Sequence, residues 1–487
     1  MTRIKKGSCV EFWVGRGLFF LAPGLFFLCM AGCGGDSGKD DVSDAAVSDG
    51  TIPLDSGVDG GEHPDSGVHD DGGLDPDGST PTDEEWCRPL PAPTGEIIEV
   101  AEAEAADLRS IVMNAGSGTT ILLEDGVYDM GGGDTSHRLS FNTDGVTLRS
   151  ASGVPENVIL DGSYVTGELI SIAASDITIA EITLKRAYYH PIHVTGGGDR
   201  DTENTHIFRV QVIDPGQQAI KINPSSQGHY TDRGKIECCH IELTDLGRPE
   251  IRDNCYTGGV DAHAAWDWEI RDNTIVGFWC ESGLSEHGIH LWRTCRNTLV
   301  ERNRIYDCAR GIGFGLSETG GGSVRIYPDD PYPSSGYMDH IDGIIRNNFI
   351  FAGDAGLFSS SSGFDGGISL AQARGAQVYH NTVVSTQAPF ASIEWRFPNT
   401  DAVIVNNLVT HNLMERNGAQ ALLDGNIENA PLNFFVDVES GDLHLDPDNA
   451  AAAVDSGADV DPGLCDEDID GDSRSNNRDV GADELTN

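Results

Sequence analysis

Between Pro191 and Arg396 the chain repeats one short pattern in which apolar residues fill every second position. Pro191-Ile-His-Val194, Ala219-Ile-Lys-Ile222, Gly259-Val-Asp-Ala-His263, Gly288-Ile-His-Leu-Trp-Arg293, Gly311-Ile-Gly-Phe314 and Ser392-Ile-Glu-Trp-Arg396 can be laid over one another. A period of two predicts β-strands with one face buried and the other toward solvent. A second family of strands runs alongside the first. Arg271-Asp-Asn-Thr-Ile275, Glu301-Arg-Asn-Arg-Ile305, Arg346-Asn-Asn-Phe-Ile350, Tyr379-His-Asn-Thr-Val383 and Val405-Asn-Asn-Leu-Val409 each carry an asparagine. Ile179-Ala-Glu-Ile-Thr183, Arg209-Val-Gln-Val212 and Glu237-Cys-Cys-His-Ile241 keep the apolar pattern without it. The copies recur at roughly 26 to 45 residues, the range of stacked repeat architectures. Asparagine tolerates the left-handed conformation and can hydrogen-bond its counterpart on the next coil. An asparagine ladder through a solenoid of strands is therefore expected.

Gly, Asp, Thr and Ser dominate the links, and no long amphipathic helical stretch occurs, which excludes helical solenoids. The one helical candidate is Ala103 to Met113, followed by Gly116-Ser-Gly-Thr-Thr-Ile-Leu-Leu-Glu-Asp-Gly-Val-Tyr128. This opening resembles that of right-handed parallel β-helix proteins of the pectate-lyase-like superfamily, in which a helix caps the first coil. Asp470-Gly-Asp-Ser-Arg474 and Asp479-Val-Gly-Ala-Asp-Glu484 resemble a terminal segment common among them. The fold class expected is all-β, a right-handed parallel β-helix over 87–447 with an N-terminal capping helix and a C-terminal cap over 448–487. A β-propeller is the alternative, but its blades need tight hairpins, and the links here are long and irregular.

The first 32 residues read as a leader, with Arg3, Lys5, Lys6 and Arg16 before an apolar run from Leu18 to Leu28 that is too short to span a bilayer. Met30-Ala-Gly-Cys33 resembles a bacterial lipobox, which implies cleavage before Cys33 and lipid on its sulfur. Residues 33–86 are rich in Asp, Gly, Ser and Pro and are expected to form a disordered tether. A lipid-anchored protein of the cell envelope, sorted to the outer membrane, is the expectation, with membrane contact through the lipid only and a monomeric body. The formal charge of −47 disfavours nucleic acid and anionic lipid as partners. Eight further cysteines, Cys87, Cys238, Cys239, Cys255, Cys280, Cys295, Cys308 and Cys465, favour disulfides in an exported chain, with the pairing open. Asp466-Glu-Asp-Ile-Asp-Gly471 begins like a calcium loop, but Asn477 stands where that loop needs a glutamate. A structural cap is the favoured reading, and calcium is the single cofactor left open.

Parallel neighbours lie about 4.8 Å apart, so stacking the first family makes a column from His193, Lys221, Asp261 with His263, and His290 with Trp292. Arg293 lies just past the strand end. Clustered bases and cations suit proton removal beside the carboxylate of a uronic acid, where the acid must be neutralised while a base takes the proton. Expulsion of the oxygen at carbon 4 would make a lyase, and reprotonation from the opposite face an epimerase. His263 is the candidate base, His290 or Lys221 its proton partner, Arg293 with Lys221 the carboxylate clamp, and Asp261 the residue that orients His263. His193, Asn223 and Trp292, with Tyr327 and Tyr332 from the Gly/Pro-rich insertion 320–338, are candidates to bind an acidic polysaccharide. A metal set of His193, Asp261, His263 and His290 is chemically reasonable, but Lys221 among them argues against it, and no metal is expected.

Gly259-Val-Asp-Ala-His263, Ile270-Arg-Asp-Asn-Thr-Ile275, His287-Gly-Ile-His290, Arg293, Val300-Glu-Arg-Asn303 and Gly311-Ile312 follow in an order that resembles mannuronan C5-epimerases of alginate-producing bacteria. There a D-P-H motif precedes an asparagine strand, an H-G-I stretch and an arginine. The resemblance implies roles for Asp261, His263, Arg293 and Lys221 over perhaps 60 residues. The motif proline is Ala262 here, the family's tyrosine position is Gly258, and Tyr256 lies at a different offset. Two other functions compete. One is hydrolysis by paired carboxylates, Asp261 with Glu394 or Asp365, and the other is a non-catalytic surface protein that binds glycans. Side-chain nitrogens of His263 and Lys221 within about 8 Å beside an open groove would support catalysis, whereas burial or a filled groove would not.

Overall fold

The computed structural model describes residues 85–132, 137–320 and 324–486. The leader, Cys33 and all but the last two residues of the tether lie outside the described residues. The chain divides into units Met1–Asp70 and Asp71–Asn487, and the fold described is that of the second.

Each coil contributes one strand to each of three parallel sheets, as in Glu269–Arg271, Thr274–Val276 and Ile289–Trp292. Strands of equal order along the chain pair in register from coil to coil, which is the architecture of a parallel β-helix. Its hand is right, as parallel crossovers are. One sheet places Leu148, Ile179, Ile207, Ile236, Ile270, Val300, Ile345, Val378 and Ile404 in a single file of direct partners. All nine are fully buried. At about 1.5–3 kcal/mol for each buried aliphatic side chain, such files hold the solenoid together.

The asparagine ladder stands at the first corner of the coils. Asn273, Asn303, Asn348, Asn381, Asn407 and Asn426 donate from one side-chain amide to the next at 2.9, 3.0, 2.9, 2.9 and 2.9 Å. The left-handed residue is the one before each ladder asparagine: Asp272, Arg302, Asn347, His380 and Asn406 have φ between 49° and 58°, and Gly425 has φ 61°. The ladder ends where Asn273 Oδ1 accepts from the backbone of Cys239.

The capping helix spans Ala105–Asn114 and buries Leu108 and Val112 against the first coils. A second, five-residue helix, Ala355–Ser359, has Asp354 as its N-cap, bonded to Leu357 N at 2.6 Å. The C-terminal segment packs Ala450, Ala453, Ile469, Val480 and Ala482 on Phe349, Phe351, Val384 and Leu408, which point outward from the side of the solenoid. Its acidic run is engaged in holding this contact. Asp468 accepts from the backbone of Asp470, Asp472 and Glu484, while Asp470 pairs with Arg304 and His444. Two disulfides form, Cys87–Cys238 and Cys255–Cys280. Cys239, Cys295, Cys308 and Cys465 remain buried thiols, so half of the expected framework is core packing. Among the described residues no helix is long and apolar enough to cross a membrane.

Candidate active site

Register decides which side chains meet. His193, Lys221, Asp261, His290, Gly313, Ser369 and Glu394 are direct partners on successive strands of one sheet. The expected column therefore exists. It gains Ser369 from Gly366–Ala371, a strand whose Gly-Ile-Ser-Leu core carried the same alternation in the sequence. A second row sets Asn223 beside Thr195 and His263 beside Trp292.

Asp261 is the hub. Its carboxylate is ion-paired to Lys221 Nζ and accepts from Trp292 Nε1 at 2.8 Å, with His263 Nε2 at 3.4 Å and His290 Nδ1 at 3.8 Å. Lys221 Nζ also donates to Tyr256 Oη at 3.2 Å and lies 3.2 Å from His263 Nε2. Burial opposes a charge on Asp261, but the Lys221 ammonium outweighs it and holds the carboxyl well below its ordinary value. Burial likewise opposes the charge on Lys221, and Asp261 reverses it and raises the amine. His263 is pushed down to about 4, first by burial and then by the Lys221 charge. Burial and the Asp261 charge raise the Tyr256 phenol. At neutral pH the cluster thus holds one ion pair, a neutral imidazole and an intact phenol.

The alternation predicted these outward positions to meet solvent, and for three of them the structure corrects that. Lys221, Asp261 and His290 are 7%, 1% and 0% exposed. Loops from neighbouring coils cover them. Tyr256 arrives on one loop and Glu286 with His287 on another, and Cys255–Cys280 ties the two loops together. Solvent reaches the cluster at its rim, where the His263 side chain is 16% exposed beside half-buried Trp292 and Arg293. His290, expected as a proton partner, is wholly enclosed and stacked on Trp292 at 4.9 Å, so it supports the site from behind. The Arg293 guanidinium lies 4.6 Å above the Trp292 ring. Tyr256, two positions from Gly258, brings its phenol oxygen to 3.2 Å from Lys221 Nζ.

Other expected residues fall elsewhere. His193 joins Glu168 at 2.7 Å and Asn223 at 2.6 Å, one strand from Lys221. Tyr327 is buried with Met338 and Ile341 and donates to Thr294 O at 2.9 Å, and Tyr332 packs on the same cluster. These two rings help to anchor the long insertion, Tyr327 buried and Tyr332 half-buried. The conceivable metal set is also dispersed, because His193 is engaged by Glu168 and Asn223 and Lys221 stands between Asp261 and His263.

Sequence reasoning gave Glu286 and His287 no role of their own, and the signal lay in two glycines. A Cβ at Gly258 would sit 3.0 Å from Glu286 Cβ, and one at Gly313 would sit 2.7 Å from His287 Nε2. The His287 ring therefore fills the column where Gly313 seemed to interrupt it, and its Nε2 meets Ser369 Oγ at 3.0 Å. Burial, then the neighbouring His290, pushes His287 down to about 3. Beyond His287 opens a cavity of about 200 Å³ lined by Arg310, Arg396, Arg416, Asp365 and Glu394. Asp261 and Glu394 are four strand steps apart in the row, about 19 Å at the spacing of a sheet, so they do not form the carboxylate pair of a glycosidase.

The fold and register define a right-handed parallel β-helix with an ionisable cluster on one sheet. No family model matches the chain, and no curated protein sequence matches it. Among solved structures, pectate lyase Pel9A is similar at 12% identity and a TM-score of 0.48, covering 81% of this chain and 97% of that one. Alginate lyase from Paenibacillus sp. str. FPU-7 is similar at 15% identity and a TM-score of 0.42, covering 68% and 99%. The A-module of the Azotobacter vinelandii mannuronan C-5 epimerase AlgE6 is similar at 10% identity and a TM-score of 0.40, covering 70% and 92%. Likenesses of this order concern the solenoid, and function has to be argued from the site.

Proposed function

We propose that this protein acts on an acidic polysaccharide and removes the proton at carbon 5 of a uronic acid unit, as an epimerase or a lyase. One observation carries the reading. A neutral imidazole, His263, and an intact phenol, Tyr256, flank one ammonium, Lys221, at 3.2 Å each. The imidazole is in the state a base needs, and the phenol is in the state a proton donor needs. Lys221 and Arg293 supply positive charge where the enolate-like dianion develops. Asp261 holds Lys221 and His263 in place, and its own charge is offset by the ammonium. If Tyr256 returns a proton to the opposite face of carbon 5, the outcome is epimerisation. If it protonates the leaving oxygen at carbon 4, the outcome is a lyase reaction.

The lipobox-like Cys33 and the acidic tether fit an anchor that presents the solenoid to polymer in the cell envelope, with the body acting as a monomer. The test is incubation with a panel of uronic acid polymers in deuterated water, following absorbance near 235 nm, roughly the band of a conjugated double bond, and deuterium at carbon 5. Exchange without absorbance identifies an epimerase, and absorbance identifies a lyase. Polymer binding with neither signal on any substrate would establish a glycan-binding protein instead.

A further inference from the structure

We infer that Glu286, His287 and His290 form a binding site for one divalent transition-metal ion of the zinc type. Glu286, His287 and His290 each offer one ligand atom, and the three lie within 4.8 Å of one another. The carboxylate oxygen is 3.1 Å from His290 Nδ1 and 3.9 Å from His287 Nδ1. Ligand bonds of about 2.0–2.2 Å to a tetrahedral ion place neighbouring ligand atoms about 3.4 Å apart, between those two separations.

Hydrogen bonding supplies the independent reason. The two imidazoles are 3% and 0% exposed, and among the described residues these three atoms have no hydrogen-bond partner. His290 Nδ1 and Glu286 Oε2 face each other at 3.1 Å without the geometry of a hydrogen bond. His290 Nε2 faces the carbonyl oxygen of Gly315 at 3.3 Å, and a carbonyl can only accept. Buried polar atoms left unpaired are costly. A cation between them satisfies all three atoms at once.

The surroundings match a metal site in kind. Each imidazole has its remote nitrogen engaged, His290 by Gly315 and His287 by Ser369, as metal-binding histidines commonly do. Gly258 and Gly313 leave the room in which Glu286 and His287 sit, since a Cβ at either would collide with them. Two imidazoles and one carboxylate suit zinc, cobalt or iron and not calcium, which prefers oxygen. Three protein ligands leave a coordination position for water or for an oxygen of the polymer. The other cluster of this type, His444 with Asp470 and Asp483, is different. Both nitrogens of His444 are taken by Asp442 and Asp470, at 2.5 and 2.8 Å, as a paired cation.

The test reads the metal directly, without recourse to the C5 reaction. Tag-free full-length protein is stripped with a chelator and titrated with zinc chloride, then with cobalt chloride, by calorimetry and visible absorption. One equivalent should bind, with cobalt giving the visible bands of a low-coordinate site that includes nitrogen. Glu286→Gln and His287→Gln should each weaken binding on the order of 100-fold, and His444→Gln should leave it unchanged. Because a buried variant can fail to fold, the cobalt spectrum of the unaltered protein stands as a second readout. Absence of stoichiometric binding up to about 1 mM free ion, an all-oxygen cobalt spectrum, or loss of binding in His444→Gln alone would each overturn the inference.

Discussion

Lys221 Nζ stands 3.2 Å from His263 Nε2 while the same ammonium is ion-paired to Asp261, so residues on two adjacent coils share one carboxylate. The ion pair is buried, and its value is set by what remains when one partner is removed. Lys221→Met leaves Asp261 as an uncompensated buried charge and should cost about 3–5 kcal/mol. Adding Asp261→Leu to that variant should recover most of the loss, because two apolar groups of similar volume replace a desolvated pair. Denaturant midpoints of the two single variants and the double variant measure the coupling. Additive losses would show that the pair is not held together as described.

The pH dependence of the reaction follows from the same contact. The charged groups acting on His263 are Lys221, Asp261 and Arg293, and burial with the Lys221 charge sets its pKa to about 4 against an ordinary 6.5. A base works unprotonated, so proton exchange at carbon 5 should persist as pH falls through 6 and be lost around pH 4. Stability moves in the same direction. Between pH 6.5 and 4 the unfolded chain takes up a proton that the folded one refuses, and folding weakens as pH falls through that window. An acid limb at 6 to 7 in the rate profile would point to a solvated imidazole and would remove His263 from the role of base.

How much of this was written in the sequence depends on whether a feature is local. Strand alternation at Ile192, Ile220, Val260, Ile289, Ile312 and Ile393 and the asparagine repeats are periodic signals, and the register joins them as expected. The closing of the site was not periodic. Tyr256, Glu286 and His287 arrive on loops of irregular length, and no spacing rule says how far a loop folds back over its sheet. Burial of Lys221 and His290 follows from those loops and was hidden for the same reason. Gly258 and Gly313 were the legible trace: each departs from the expected side chain because another residue occupies its space. Cysteine number was equally silent on pairing, since a thiol that fills a core position looks the same in sequence as one that cross-links.

The asparagine ladder gives a graded stability prediction. Asn348 is fully buried and donates to Val300 O, Arg346 O and Asn381 Oδ1 while accepting from the backbone and side chain of Asn303. Asn348→Ala leaves partners on both neighbouring coils unsatisfied and should cost about 3 kcal/mol or more. Asn426, half-buried at the ladder's end, has only Asn407 as a ladder partner. Asn426→Ala should cost about 1 kcal/mol. Thermal or denaturant unfolding of the two variants tests the ratio, and equal losses would show that the amides do not act as a chain.

The cavity beyond His287 carries the last prediction, because it is where an acidic polymer would extend from the cluster. Arg416 reaches Glu394 at 3.0 Å and Arg310 reaches Asp365 at 3.1 Å, which offsets two of the three arginines. Arg396 is 3.9 Å from Glu394 Oε1 and donates to Leu316 O, so the cavity keeps an excess of positive charge within an acidic protein. Phe390 stands exposed at its edge with the Arg416 guanidinium 4.8 Å from its ring, a surface on which a sugar face can stack. Arg416→Gln should raise KM for a uronic acid polymer several-fold with little change in kcat, because the contact is made equally in ground and transition states. The penalty should shrink as salt rises from about 0.05 to 0.5 M, where screening removes the attraction from both proteins. A fall in kcat at unchanged KM would place Arg416 in the chemistry itself, and no change in either would mean that the polymer leaves the cluster by another path.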